Sequence, residues 1–169
     1  MKTFKQLLIE LDACEEAIDW AEDKPIEEVI QECHRGDWLL WLARKVDIGL
    51  QPLTLAKGHC ANTVRHLMKD ERSIKAVDTA IAFGEGKVSI EELNIVADTA
   101  NTAASAAASA YSAASAYSAA SASYCASYCA SASAYSSASE KKENQILTAD
   151  ICRKYIGDLI IKKVNELIK

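Results

Sequence analysis

Between Ala103 and Ser139 every residue is Ala, Ser, Tyr or Cys. A run with no charge, no Gly, no Pro and no branched aliphatic has few structural options. Its frequent serines and its lack of Leu, Ile, Val and Phe exclude a membrane span. The tract is therefore either disordered or a long helix covered by the rest of the chain. The tyrosines favour the helix. Tyr117, Tyr124, Tyr128 and Tyr135 are spaced seven, four and seven apart. At about 100° per residue they stay within a stripe roughly 40° wide. Tyr111, Cys125 and Cys129 fall on a second stripe about 80–120° round. A low-complexity linker has no reason to keep its large side chains on one face. Serine costs about 0.5 kcal/mol per helical position relative to alanine, so the tract depends on packing rather than standing alone. One helix from Ser89 to Ser139 would measure on the order of 75 Å, against a radius of gyration of about 15 Å for a compact chain of this size. It must protrude, bend, break into two or pack in an oligomer. No Gly or Pro marks a break, and the tyrosine seam suits a homodimer.

Alanine buries little area, so the ends of the chain must supply the core. The larger apolar residues lie before residue 97 and after residue 145. Phe4, Leu7, Leu8, Leu11 and Ile18 recur at helical spacing, with Thr3 as N-cap, and predict a helix to Ala13 or on to Trp20. Pro25 opens a helix to Cys33, with Glu27 and Glu28 suiting its N-terminus. Gly36 reads as its C′ residue, and Asp37 as the cap of the next helix, Trp38 to Val46. Residues 48–52 read as a loop, followed by a helix from Leu53 to Met68 weakened by Gly58. Residues 69–72 read as a polar link, 73–83 as a helix and 84–87 as a turn. Ser89 and Glu92 form a capping box that leads into the tract. Residues 140–144 read as exposed. Thr148 caps a final helix to Ile168, with Ile151, Tyr155, Leu159, Ile160, Val164 and Leu167 inward. No alternating strand pattern occurs. The expected fold is a single all-α domain: N-terminal helices over residues 1–88, the helical tract over 89–139, and a C-terminal helix over 146–168.

A net charge of −5 and a pI near 5.3 argue against direct binding to DNA or to an anionic membrane and suit a basic protein partner. Met1-Lys2-Thr3 leads into an amphipathic pattern rather than an apolar leader. Six cysteines without a secretion signal read as free thiols in a reducing cytoplasm.

The densest chemistry lies in Cys33-His34-Arg35-Gly36-Asp37-Trp38-Leu39-Leu40-Trp41. As a recognition site, Arg35 offers a planar fork for carboxylate or phosphate, and Trp38 or Trp41 a stacking surface. As packing, Arg35 and Asp37 fasten a helix junction and both tryptophans are core; buried indoles at helical spacing favour this option. Arg65, His66 and Arg72 flank the next junction. With Arg35 and Arg44 they would form a basic pocket if their helices meet, and otherwise stand as solvated surface charges. A metal site is not expected. Cys33-His34, His59-Cys60, His66 and Cys125/Cys129 lack the spacing that gathers ligands predictably. No cofactor motif is present. No nucleophile elbow, Gly-rich phosphate loop or framed Cys/His pair points to catalysis, so no enzyme is expected. An ice-binding face is set aside, because the tract has tyrosines where a regular threonine repeat is needed.

Three segments, in order, resemble a family of immunity proteins found beside bacterial polymorphic toxins and in phage genomes. They are Glu32 to Leu42 with its Cys-x-Arg-Gly-Asp-Trp core, Arg72 to Gly86 followed by Ile90-Glu91-Glu92-Leu93, and the alanine-rich tract followed by Ala149 to Lys154. Where relatives carry Asp among the alanines, this chain has Ser. The resemblance implies a protein that neutralises a toxin or effector by direct binding, with Arg35, Asp37, Trp38, Trp41, Arg65 and Arg72 as contact residues. The alternative is a phage-type anti-defence protein sequestering a small nucleotide signal, with the arginines on phosphates and an aromatic ring on the base.

Overall fold

The structure, a computed structural model, describes residues 2–68, 70–108 and 138–169. Among them every regular element is helical, and no strand occurs. The tyrosine seam and the continuity of the 89–139 helix fall largely on residues outside the described ones. The flanks of that tract are helical: α7 covers Ile90–Ala108, and α8 covers Ala138–Leu167.

α8 is the axis of the molecule. Its buried stripe is Ala149, Cys152, Ile156, Ile160 and Val164, a spacing of three and then four residues that keeps one face inward. α3 (Ile26–Glu32), α4 (Gly36–Lys45) and α5 (Leu50–Asn62) pack on that stripe. They contribute Ile26, Val29, Ile30, Cys33, Leu39, Leu42, Ala43, Leu53, Ala56 and Cys60 to one continuous core. α6 (Glu71–Gly84) lies against α5, and α7 against α6. The α5–α6 contact is close, because a Cβ on Gly58 would meet Ile81 Cγ1 at 2.8 Å and one on Gly84 would meet Leu55 Cβ at 2.3 Å. Gly58, read from the sequence as a weak point, is what lets the two helices touch. The chain ends are tied together where Lys2 N donates to Ile168 O at 3.1 Å.

The sequence stripe for the last helix is rotated relative to the observed one. Leu159 is 38% exposed and Leu167 47%. Thr148 does not cap this helix. It sits inside it, with its hydroxyl donating to Asn144 O at 2.8 Å. The charged residues before it simply continue the helix, as Glu, Lys and Gln do readily.

Of the two extents read for the first helix, the shorter one, to Ala13, is closer, and the longer one, to Trp20, spans two helices. α1 (Phe4–Glu10) begins with Thr3 as the expected N-cap, and the structure adds a capping box completed by Gln6. It ends at Leu11, because Asp12 adopts φ 59° and Ala13 N bonds back to Leu8 O. α2 (Glu15–Ala21) follows and stops at Glu22, φ 48°. α5 begins earlier than predicted, at Leu50 behind Gly49 at φ 97°. It ends at Asn62, giving way to a 3-10 turn over Arg65–Leu67. Asp70, read as part of a link, caps α6 by accepting from Arg72 N. Ser89 accepts from Glu92 N at 3.2 Å, as its capping role requires.

No helix among the described residues is long and apolar enough to cross a membrane.

Candidate functional site

The α3–α4 junction differs from its sequence reading, and the difference shapes the site. Gly36 does not terminate α3; Cys33 does, in an extended conformation. Gly36 is instead the first residue of α4, with Arg35 before it as N-cap. The reason lies on α8. A Cβ at Gly36 would fall 2.4 Å from Thr148 Oγ1 and 2.6 Å from the Thr148 carbonyl carbon. Only glycine lets the start of α4 come this close to α8.

Asp37 consequently does not cap the backbone. Its carboxylate accepts both arms of the Arg35 fork, from Nε at 2.9 Å and from an Nη at 2.7 Å. This bidentate bond raises the Arg35 pKa above its ordinary value. Another Nη of Arg35 lies 3.6 Å from Glu16, which links α2 to the junction. The guanidinium rests 4.6 Å from the centre of the Trp38 ring, a cation–π contact.

From there the rings continue. Trp38, Trp20 and His34 form a triangle with centroids 6.0–6.3 Å apart, and Trp20 and His34 meet edge to face. Lys24 covers Trp20 at 4.6 Å and pairs with Glu32 at 3.0 Å. Both indoles are half-buried against the rim of the core. Behind them the buried Cys33 thiol donates to Arg35 O at 3.4 Å, and burial pushes its pKa up. Arg153 of α8 donates to Cys33 O at 2.9 Å. The junction is thus fixed from beneath and open above.

Of the sequence candidates, Arg35, Asp37 and Trp38 come together. Trp41, one turn on, is half-buried and packs under Lys45, whose ammonium lies 5.5 Å from the ring centre. Arg65 and Arg72 belong elsewhere. Arg65 closes a fork on Asp78 of α6, one arm at 2.9 Å. Arg72 closes one on Asp70, at 3.0 and 2.8 Å. Among the described residues no hydrogen bond or ion pair joins these pairs to Arg35. Each carries its own carboxylate.

Trp20 and Lys24 were missed as site residues, because proximity across α2, α3 and α4 is not written in spacing; His34, inside the stretch singled out, was given no role there. A second missed feature is legible in the sequence once charge is counted by segment. Between Glu10 and Asp37 lie eleven carboxylates against two cations, Lys24 and Arg35. This segment carries −9, so the rest of the chain is net positive. All eleven side chains are exposed. The carboxylates of Glu16, Glu32 and Asp37 sit directly on the cations that cover the rings.

Among the described residues no group of three or more His, Cys, Asp or Glu side chains is placed to hold a metal ion. Compared with family models, with curated proteins and with solved structures, the chain matches none.

Proposed function

We propose that the chain is an immunity-like binding protein that neutralises a basic toxin or effector domain by direct contact. Its recognition face runs over α2, α3 and the first turns of α4. The single observation that carries this is the concentration of exposed negative charge on those elements, next to two half-buried indoles. Complementary charge speeds encounter and rejects wrong partners, while Trp is prominent among residues that anchor interfaces. Arg35 and Asp37 act as a preformed brace that holds Trp38 in place; a face that is rigid beforehand loses little entropy on binding.

The alternative, sequestration of a nucleotide signal, needs cations free to meet phosphates. Arg35, Arg65 and Arg72 are each engaged by a neighbouring carboxylate, which supports the protein-partner proposal over this one. Co-expression with a toxin domain encoded beside the chain tests the proposal. Rescue of growth and a stable complex on size exclusion are expected; no rescue and no complex would refute it. Nucleotide absorbance in the filtrate of denatured protein would favour the alternative.

A further inference from the structure

Two thiols from different helices meet in the core. The sulfurs of Cys60 on α5 and Cys152 on α8 lie 3.9 Å apart. Cys152 is completely buried, and Cys60 is 6% exposed. Each thiol also has a backbone acceptor: Gly36 O lies 3.7 Å from Cys152 Sγ, and Thr148 O lies 3.8 Å from Cys60 Sγ. A disulfide requires sulfurs about 2 Å apart, so closure needs a movement on the order of 2 Å, within the reach of side-chain rotation and small helix shifts. Two free thiols in contact on separate helices are placed to react with one another as well as to pack.

We propose that Cys60 and Cys152 form an oxidisable dithiol, a reversible modification site that hydrogen peroxide closes into a disulfide joining α5 to α8. The sulfur of Cys60, the less deeply buried residue of the pair, attacks peroxide. An S–O bond forms, the O–O bond breaks, and hydroxide leaves as water with the thiol proton. The product is a sulfenic acid on Cys60. The Cys152 sulfur then attacks the Cys60 sulfur. The S–S bond forms, the S–O bond breaks, and the hydroxyl leaves as water with the Cys152 proton. Two thiols and one peroxide give one disulfide and two waters. The hydrogen bond with Cys60, together with burial, holds Cys152 protonated well above the ordinary thiol range. A thiol held protonated is a weaker nucleophile than a thiolate, which slows the second step.

The new bond closes the chain between residues 60 and 152, a loop that contains α6, α7 and the alanine-rich tract. Cross-linking so long a loop constrains the unfolded chain strongly. It also consumes both S–H donors, so Gly36 O loses its thiol partner. Gly36 lies between Arg35 and Asp37, so the core pair borders the surface site. None of this depends on the identity of the binding partner.

The test is treatment of the reduced full-length protein with hydrogen peroxide, followed by non-reducing digestion and mass spectrometry. The expected products are a Cys60–Cys152 linked peptide pair and a rise in Tm of roughly 5–10 °C that dithiothreitol reverses. Cys152→Ser and, independently, Cys60→Ala should each abolish both, while Cys33→Ser retains both. The proposal is overturned if Cys60 and Cys152 stay unlinked in the folded protein, if either pairs instead with Cys33 or Cys14, or if the rise in Tm persists in Cys60→Ala.

Discussion

Replacing Gly36 with alanine should separate α4 from α8. The added Cβ would lie 2.4 Å from Thr148 Oγ1, 2.6 Å from its carbonyl carbon and 2.7 Å from its Cβ. Turning the Thr148 side chain relieves the first of these contacts. It leaves the second, which is backbone, so the two helices must part by on the order of an ångström. Overpacking of a core of this kind costs about 1–3 kcal/mol. Alanine returns up to about 1 kcal/mol of helix propensity, and less than that at the first helical residue. The separation also weakens the contact between Cys152 Sγ and Gly36 O. The expected net loss is about 2 kcal/mol, or roughly 4–8 °C in Tm for a chain of this size. Urea unfolding followed by far-UV circular dichroism measures it. Adding Thr148→Ala should restore only part of the loss, since the backbone contact remains. A Gly36→Ala stability within about 0.5 kcal/mol of wild type, or full recovery in the double variant, would refute the reasoning.

Ile160 is fully buried on α8, and Ile160→Ala should cost about 2–5 kcal/mol, whereas Leu159→Ala should cost about 1 kcal/mol or less. Equal losses in denaturant titration would restore the rotated stripe. Glu22 holds φ 48° and ψ −129°, a conformation that suits glycine, so Glu22→Gly should stabilise by about 1 kcal/mol, read as a raised denaturation midpoint. His59 stacks on Tyr155 at 4.3 Å with ring planes 10° apart. Burial holds its pKa below the ordinary histidine value, with Glu85 opposing the shift and Lys154 adding to it. As pH falls through the ordinary histidine range toward that lowered value, the unfolded chain takes up the proton first, so stability is lost there and retained above it. His59→Phe keeps the stack, and Tm measured across this range should lose that part of its slope.

The all-α class was legible because helical periodicity and capping signals recur along both ends of the chain. Thr3 with Gln6 and Ser89 with Glu92 cap as their chemistry demands. The helix breaks were harder to read. Asp12, Glu22 and Asp47 all take positive φ, a role that sequence reasoning assigns to glycine, so the pattern left open whether the first helix stopped at Ala13 or ran on to Trp20. Gly36 misled in the opposite direction. It looked like a helix stop, but its need for glycine comes from Thr148, more than a hundred residues away in the chain. The candidate site was half visible. Arg35, Asp37 and Trp38 are neighbours in sequence and in space, whereas Trp20 and Lys24 reach them only through the packing of α2. Arg65 and Arg72 looked available in sequence because Asp78 and Asp70, their partners, carried no signal of pairing.

The central claim is that the acidic, indole-bearing face of α2–α4 contacts a basic protein partner. Titration calorimetry with the purified partner domain tests it most directly, comparing wild type with Asp19→Lys/Asp23→Lys/Glu28→Lys at low and high salt. All three side chains are exposed, so the folded spectrum should survive. The expected result is a loss of affinity of at least about tenfold in the variant, together with salt sensitivity of the wild type that the variant lacks. Equal affinities and equal salt dependence in the two proteins would contradict the account.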